Sequence, residues 1–96
     1  MATSHDEATP GRKSPIRVLL ADDHTLMREG VRRILSADGG IEVVAEVGDG
    51  HAAVAETVSL QPDVAVLDIT MPGGGGLEAA RHIRKQAPEV RILILS

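Results

Sequence analysis

Three short stretches of the 96-residue chain are almost continuously apolar: Ile16–Ala21 (IRVLLA), Val64–Asp68 (VAVLD) and Arg91–Ser96 (RILILS). Runs of this length and character read as strands covered on both faces, as in a parallel sheet. Ile41–Val47 (IEVVAEV) is also strand-like, but its Glu42 and Glu46 predict a more exposed edge. Between these runs the period lengthens. Met27, Val31, Ile34 and Leu35 follow i, i+4, i+7, i+8 spacing, with Thr25 as a prospective cap and Gly39–Gly40 as a terminator. Ala52–Leu60 predicts a second helix after an Asp49-Gly50 turn, closed by Pro62. Leu77, Ala80, Ile83 and Ala87 mark a third, stopped before Pro88. The order β-α-β-α-β-α-β implies right-handed crossovers and a parallel sheet with helices on both faces.

Met1–Pro15 (MATSHDEATPGRKSP) shows neither period and has almost nothing apolar to bury, so residues 1–15 are expected to be a disordered leader and order to begin at Ile16. The leader has no apolar h-region, which argues against a secretory signal. No apolar run approaches the roughly eighteen residues that span a bilayer, so no membrane partner is expected.

Composition narrows the chemistry. Cysteine is absent, which removes disulfide scaffolds, thiolate zinc sites and cysteine nucleophiles. Aromatic residues are absent too, so the base-stacking platforms of single-strand binders have no material. The net charge of −4 argues against nucleic acid as a direct partner of this segment, because phosphate binding needs positive potential.

In parallel α/β sheets, chemistry collects at the carboxyl ends of the strands. The first strand ends in Asp22-Asp23, the third in Asp68 and the fourth in Ser96. Three carboxylates and a hydroxyl therefore converge by topology. Such a cluster is self-repelling unless a cation sits in it, and Mg²⁺ suits a few carboxylates supplemented by carbonyls and waters. An aspartate beside that ion can also act as a nucleophile toward phosphorus. Taken singly, each Asp reads equally well as a cap or turn residue; the conjunction carries the argument.

The segments RVLLADDHTLMREGVRRIL, VVAEVGDGHAAV, PDVAVLDITMPGGGGLEAARHIRK and RILILS, in that order, resemble the receiver domain of bacterial two-component response regulators. The Asp-Asp-His start, the Arg-Glu-Gly of the first helix and the Met-Pro-Gly loop are most similar to the subfamily carrying a C-terminal LuxR-type helix-turn-helix. The resemblance spans residues 16–96 and implies a flavodoxin-like α/β fold with strand order 2-1-3-4. It implies Asp68 as phosphoacceptor and Mg²⁺ held by Asp22, Asp23, Asp68 and the main-chain carbonyl of Thr70. Ser96 matches the switch hydroxyl, and Met71-Pro72 and Gly76 match the loop into the third helix. A sensor histidine kinase as phosphodonor, a cytoplasmic location, and DNA contact only through a separate domain are implied likewise.

The family's lysine after a fifth strand has no counterpart, since Lys13 and Lys85 are the only lysines. The expectation is therefore a fragment lacking the fourth helix, fifth strand and fifth helix. Weak or no phosphorylation of the fragment is expected, together with an exposed fourth-strand edge prone to self-association or to completion by a partner. The protein is read as a phosphoacceptor and not an enzyme.

Two other readings have features to weigh. A non-phosphorylated interaction module is the main alternative. A haloacid-dehalogenase-type phosphatase would need Asp-x-Asp on one strand end, whereas Asp68 is followed by Ile69-Thr70. Gly73–Gly76 lacks the Gly-Lys-Ser/Thr of a P-loop and reads as a mobile connection. His24 is expected as a helix-entry residue at the mouth of the site. Arg28, Arg32 and Arg33 are expected as a solvated helix face, with Glu29 pairing with Arg33.

Overall fold

The computed structural model describes residues 14–95. Most of the expected leader and the switch candidate Ser96 lie outside the described residues. The elements alternate as read from the sequence: β1 (Ile16–Ala21), α1 (Thr25–Ala37), β2 (Ile41–Val47), α2 (Gly50–Leu60), β3 (Val64–Asp68), α3 (Gly75–Gln86) and β4 (Arg91–Leu95). The strands form one parallel sheet in the order β2-β1-β3-β4. This is a flavodoxin-like receiver fold. Placing β1 and β3 side by side in the middle brings their carboxyl ends together, and with them Asp22, Asp23 and Asp68.

Alternation along the strands splits the core in two. Leu19, Ala21, Ala65 and Leu67 face α2 and α3, which contribute Ala53, Ala79, Ile83 and the α3 cap Ala87. Val18, Leu20 and Val66 face the other side, where Val31 and Leu35 of α1 cover them. The α2 stripe of Gly50, Ala53 and Thr57 is made of small residues, which brings the helix axis close to the sheet. Arg17 reaches across from β1 to end α2, donating from Nη1 to the carbonyls of Leu60 and Gln61 at 3.0 Å each.

The edge strand β2 departs from simple alternation. The register against β1 passes from Val18↔Val43 to Leu19↔Ala45, leaving Val44 as an extra residue. Ile41 and Val43 consequently pack on the α1 side, and Ala45 and Val47 on the α2–α3 side. A bulge of this kind reverses which face each later residue meets. Glu46 is thereby turned toward α1, where Arg32 Nε lies 3.1 Å and Arg28 Nε 3.6 Å from its carboxylate.

Several local expectations are corrected. Thr25 is the first helical residue of α1, and the cap position belongs to His24, which makes no side-chain capping bond. Asp49 caps α2 by accepting from the Ala52 amide at 2.7 Å, so that helix starts at Gly50 rather than Ala52. Met27 and Ile34, expected in the core, are 60% and 73% exposed; only Val31 and Leu35 of that pattern reach the sheet. Leu77 is exposed as well, and the buried stripe of α3 runs through Gly76, Ala79 and Ile83. The arginines are not one solvated face, because Arg28 and Arg32 are half-buried and engage β2.

Candidate functional site

β1 delivers Asp22 buried, at 4% exposure, and Asp23 at the surface. Asp68 ends β3, half-buried, with its register partner Leu95 on β4. The buried Asp22 carboxylate is compensated locally: Oδ1 accepts the His24 amide at 2.8 Å and lies 2.9 Å from His24 Nδ1. That imidazole nitrogen also lies 3.2 Å from Asp23 Oδ1 and 3.6 Å from Asp68 Oδ2. One ligand atom from each of Asp22, Asp23, His24 and Asp68 falls within 4.8 Å of the others. Topology alone pointed to the three carboxylates, and the structure brings all three together.

His24 is the residue the sequence reading undervalued. It sits at the helix entry and at the mouth of the site as expected, its side chain 63% exposed, and from there Nδ1 reaches all three carboxylates. The signal available was its position directly after Asp22-Asp23 at the helix start. The hydrogen bond to Asp22 holds its pKa above the ordinary histidine value, helped by the charges of Asp23, Asp22 and, least, Asp68.

The fourth side of the site is the connection from β3 to α3. Thr70 is exposed, and its amide lies 3.4 Å from Asp68 Oδ1. Ile69 through Pro72, with Gly74 and Gly75, line an open cleft beside Asp23 and His24. Gly73, Gly74 and Gly75 all adopt positive φ, between 76° and 96°, which side-chain-bearing residues rarely tolerate. Gly76 is required for a different reason: a Cβ there would strike the backbone carbonyl of Asp68. The glycine run thus shapes the connection and seats α3 on the end of β3. Gly73 and Gly74 also form one wall of a groove between α2 and α3 that contains His51, Glu78 and His82.

A divalent cation is a fair match to this donor set. The carboxylates are hard oxygen donors arranged around a common point, one is nearly buried, and a histidine already shares their charge. Among the described residues this is the one such group of metal-capable side chains. No helix among them is long and apolar enough to cross a membrane.

Comparison with known proteins bears on the family and the fold. A family model described as the response regulator receiver domain matches residues 18–96. The response regulator UvrY of Escherichia coli K12 is 47% identical over 81 residues, covering 84% of this chain and 37% of its own length. The transcriptional regulatory protein DegU of Brevibacillus brevis is 43% identical over 84 residues, 88% of this chain and 36% of its own. The chain thus spans little more than a third of these relatives. Among solved structures, the signal receiver domain of the putative response regulator NarL from Mycobacterium tuberculosis superposes with a TM-score of 0.81 at 43% identity, covering 84% of this chain and 65% of that one. A LuxR-family two-component response regulator from Aurantimonas sp. SI85-9A1 gives 0.80 at 46% identity, covering 84% and 58% respectively. The sequence match over residues 18–96 and the shared fold lead to one conclusion: this chain belongs to the response regulator receiver domain family.

Proposed function

We propose that the chain is a phosphoacceptor module of a two-component response regulator, taking a phosphoryl group on Asp68 with Mg²⁺ held by Asp22, Asp23, Asp68 and the Thr70 carbonyl. The observation that carries this reading is the convergence of the Asp22, Asp23 and Asp68 carboxylates at the ends of two adjacent parallel strands.

An Asp68 carboxylate oxygen attacks the phosphorus of the donor in line. The bond from phosphorus to the donor's leaving atom breaks as the new P–O bond forms, and the leaving group takes the electron pair. With a phosphohistidine donor on a sensor kinase, the product is a free imidazole and an aspartyl phosphate. Bound Mg²⁺ supplies neutralisation of the negative charge on the phosphoryl oxygens. Asp22, through its bonds to His24, is held in place while Asp23 remains open to the cleft. The half-buried setting of Asp68 limits water around its carboxylate, and the open cleft beside Thr70 and Met71 gives a donor access. Ser96, which follows Leu95 next to Asp68 in the strand register, is the proposed hydroxyl contact to the phosphoryl group. In the whole protein, which is proposed to be cytoplasmic, phosphorylation controls transcription through a DNA-binding domain; relatives named as transcriptional regulators support this.

The test is incubation of the chain with acetyl phosphate and Mg²⁺, followed by intact-mass measurement. A slow, Mg²⁺-dependent increment of one phosphoryl group, lost in Asp68→Asn, is expected. An equal increment in Asp68→Asn, or one that does not depend on Mg²⁺, overturns the proposal.

A further inference from the structure

We propose that Arg28 is a positioning residue for the cation site, fixing the backbone that aims Asp22 and Asp23; this rests on the reading of those carboxylates as Mg²⁺ ligands. Arg28 lies one turn into α1, its amide bonded to the His24 carbonyl at 2.9 Å. Its guanidinium turns back toward the sheet, with the side chain only 22% exposed. Nη1 donates to the main-chain carbonyl of Asp22 at 2.7 Å and to that of Val47 at 3.1 Å.

The same Val47 carbonyl accepts the Asp22 amide at 3.0 Å. The peptide groups on both sides of Asp22 are therefore tied down, one by β2 and the other by Arg28. The second matters most, because β1 ends at Ala21 and a carbonyl beyond it no longer has a place in the sheet ladder. The Asp22 carbonyl and the Asp23 amide share one rigid peptide plane. Fixing that oxygen fixes the plane that joins the two carboxylate-bearing residues.

Neighbouring residues fit this role. Gly48 leaves room for the guanidinium, since a Cβ there would lie 3.3 Å from Nη1. Glu46, turned toward α1 by the Val44 bulge, holds the other side of the group at Nε and is braced in turn by Arg32. A planar guanidinium can serve two carbonyls and a carboxylate together, whereas an ammonium on a flexible stem cannot hold all three in one geometry.

Positioning and simple charge make opposite demands. A nearby positive charge alone repels Mg²⁺, so removing it would tighten binding. Loss of a positioning partner loosens binding, typically by about 10–100-fold. The experiment measures the Mg²⁺ dissociation constant by calorimetry for the wild-type chain, Arg28→Ala, Arg28→Lys and Arg33→Ala. It also records the Asp23 and His24 amide resonances without metal.

The expected result is a rise of at least about tenfold in Kd for Arg28→Ala, with partial recovery in Arg28→Lys. Arg33→Ala, which removes a charge from the same helix at an exposed position outside these contacts, should leave Kd unchanged. The Asp23 and His24 amide resonances should move in Arg28→Ala and stay in Arg33→Ala, which a general loss of stability would not produce. If Arg28→Ala does not fold, Arg28→Gln replaces it. Wild-type binding with an equal or tighter Kd in the Arg28 variant overturns the positioning role and leaves the site reading intact. No Mg²⁺ binding by the folded wild type overturns both.

Discussion

The Oδ1 oxygen of Asp22 is held twice by His24, by its amide at 2.8 Å and by its ring Nδ1 at 2.9 Å. The imidazole thereby sits where a cation is needed, amid three carboxylates. Its pKa is raised, so its stabilising contribution is full below the ordinary histidine value of about 6.5 and is lost as pH rises through the folded-state value. In metal-free buffer, His24 is expected to titrate above that value by NMR. Asp22→Asn should lower it more than Asp68→Asn, following the order of the interactions that raise it. A His24 titration unmoved by Asp22→Asn would show that the ring does not occupy the cluster in solution.

Mg²⁺ competes for the same oxygens and has no affinity for them in a scattered, unfolded chain. At a hundred times its Kd it is expected to stabilise the fold by about 2.7 kcal/mol, read as a shift in urea midpoint. EDTA should reverse the shift and Asp23→Asn should reduce it. A midpoint identical with and without millimolar Mg²⁺ would argue against an assembled site.

Gly76→Ala is expected to cost about 1–3 kcal/mol, because the new methyl meets the Asp68 carbonyl and α3 must move off the end of β3. Urea unfolding measures the cost. A substitution without effect on stability would mean that α3 does not pack on Asp68 as described.

Thr57 is fully buried in α2 and its hydroxyl has no hydrogen-bond partner. Thr57→Val keeps the shape and removes the orphaned group, so a gain of about 1 kcal/mol is expected in the same assay. Destabilisation would reveal a partner for that hydroxyl in solution.

The strands were legible because a doubly covered parallel strand must be apolar throughout, and the carboxylates because they end those strands. What escaped the sequence lies across the fold. The Val44 bulge is invisible in IEVVAEV, since a period-two reading puts Ile41, Val43, Ala45 and Val47 on one face while the structure divides them. Arg28 looked like part of a solvated run because its partners are main-chain carbonyls, which no residue pattern displays. The helical spacing of Met27 and Ile34 was real, but α1 meets the sheet along a narrower stripe than the spacing implies.

That narrow stripe has a consequence for the isolated 96-residue chain. Leu26, Met27, Ile34 and Leu93 are more than half exposed, and among the described residues β4 is the last strand on its side of the sheet. Open apolar edges pair with other chains, and a lysine blunts them. Concentration-dependent association is expected by sedimentation, reduced in Leu93→Lys. A monomer at all concentrations would contradict this.

The phosphoacceptor proposed for this chain is Asp68. Its most direct test is borohydride reduction of the chain after treatment with acetyl phosphate and Mg²⁺, followed by tandem mass spectrometry of the peptides. Aspartyl phosphate is reduced to homoserine, which is expected at position 68 and nowhere else. Homoserine at another aspartate, with none at position 68, would contradict the account.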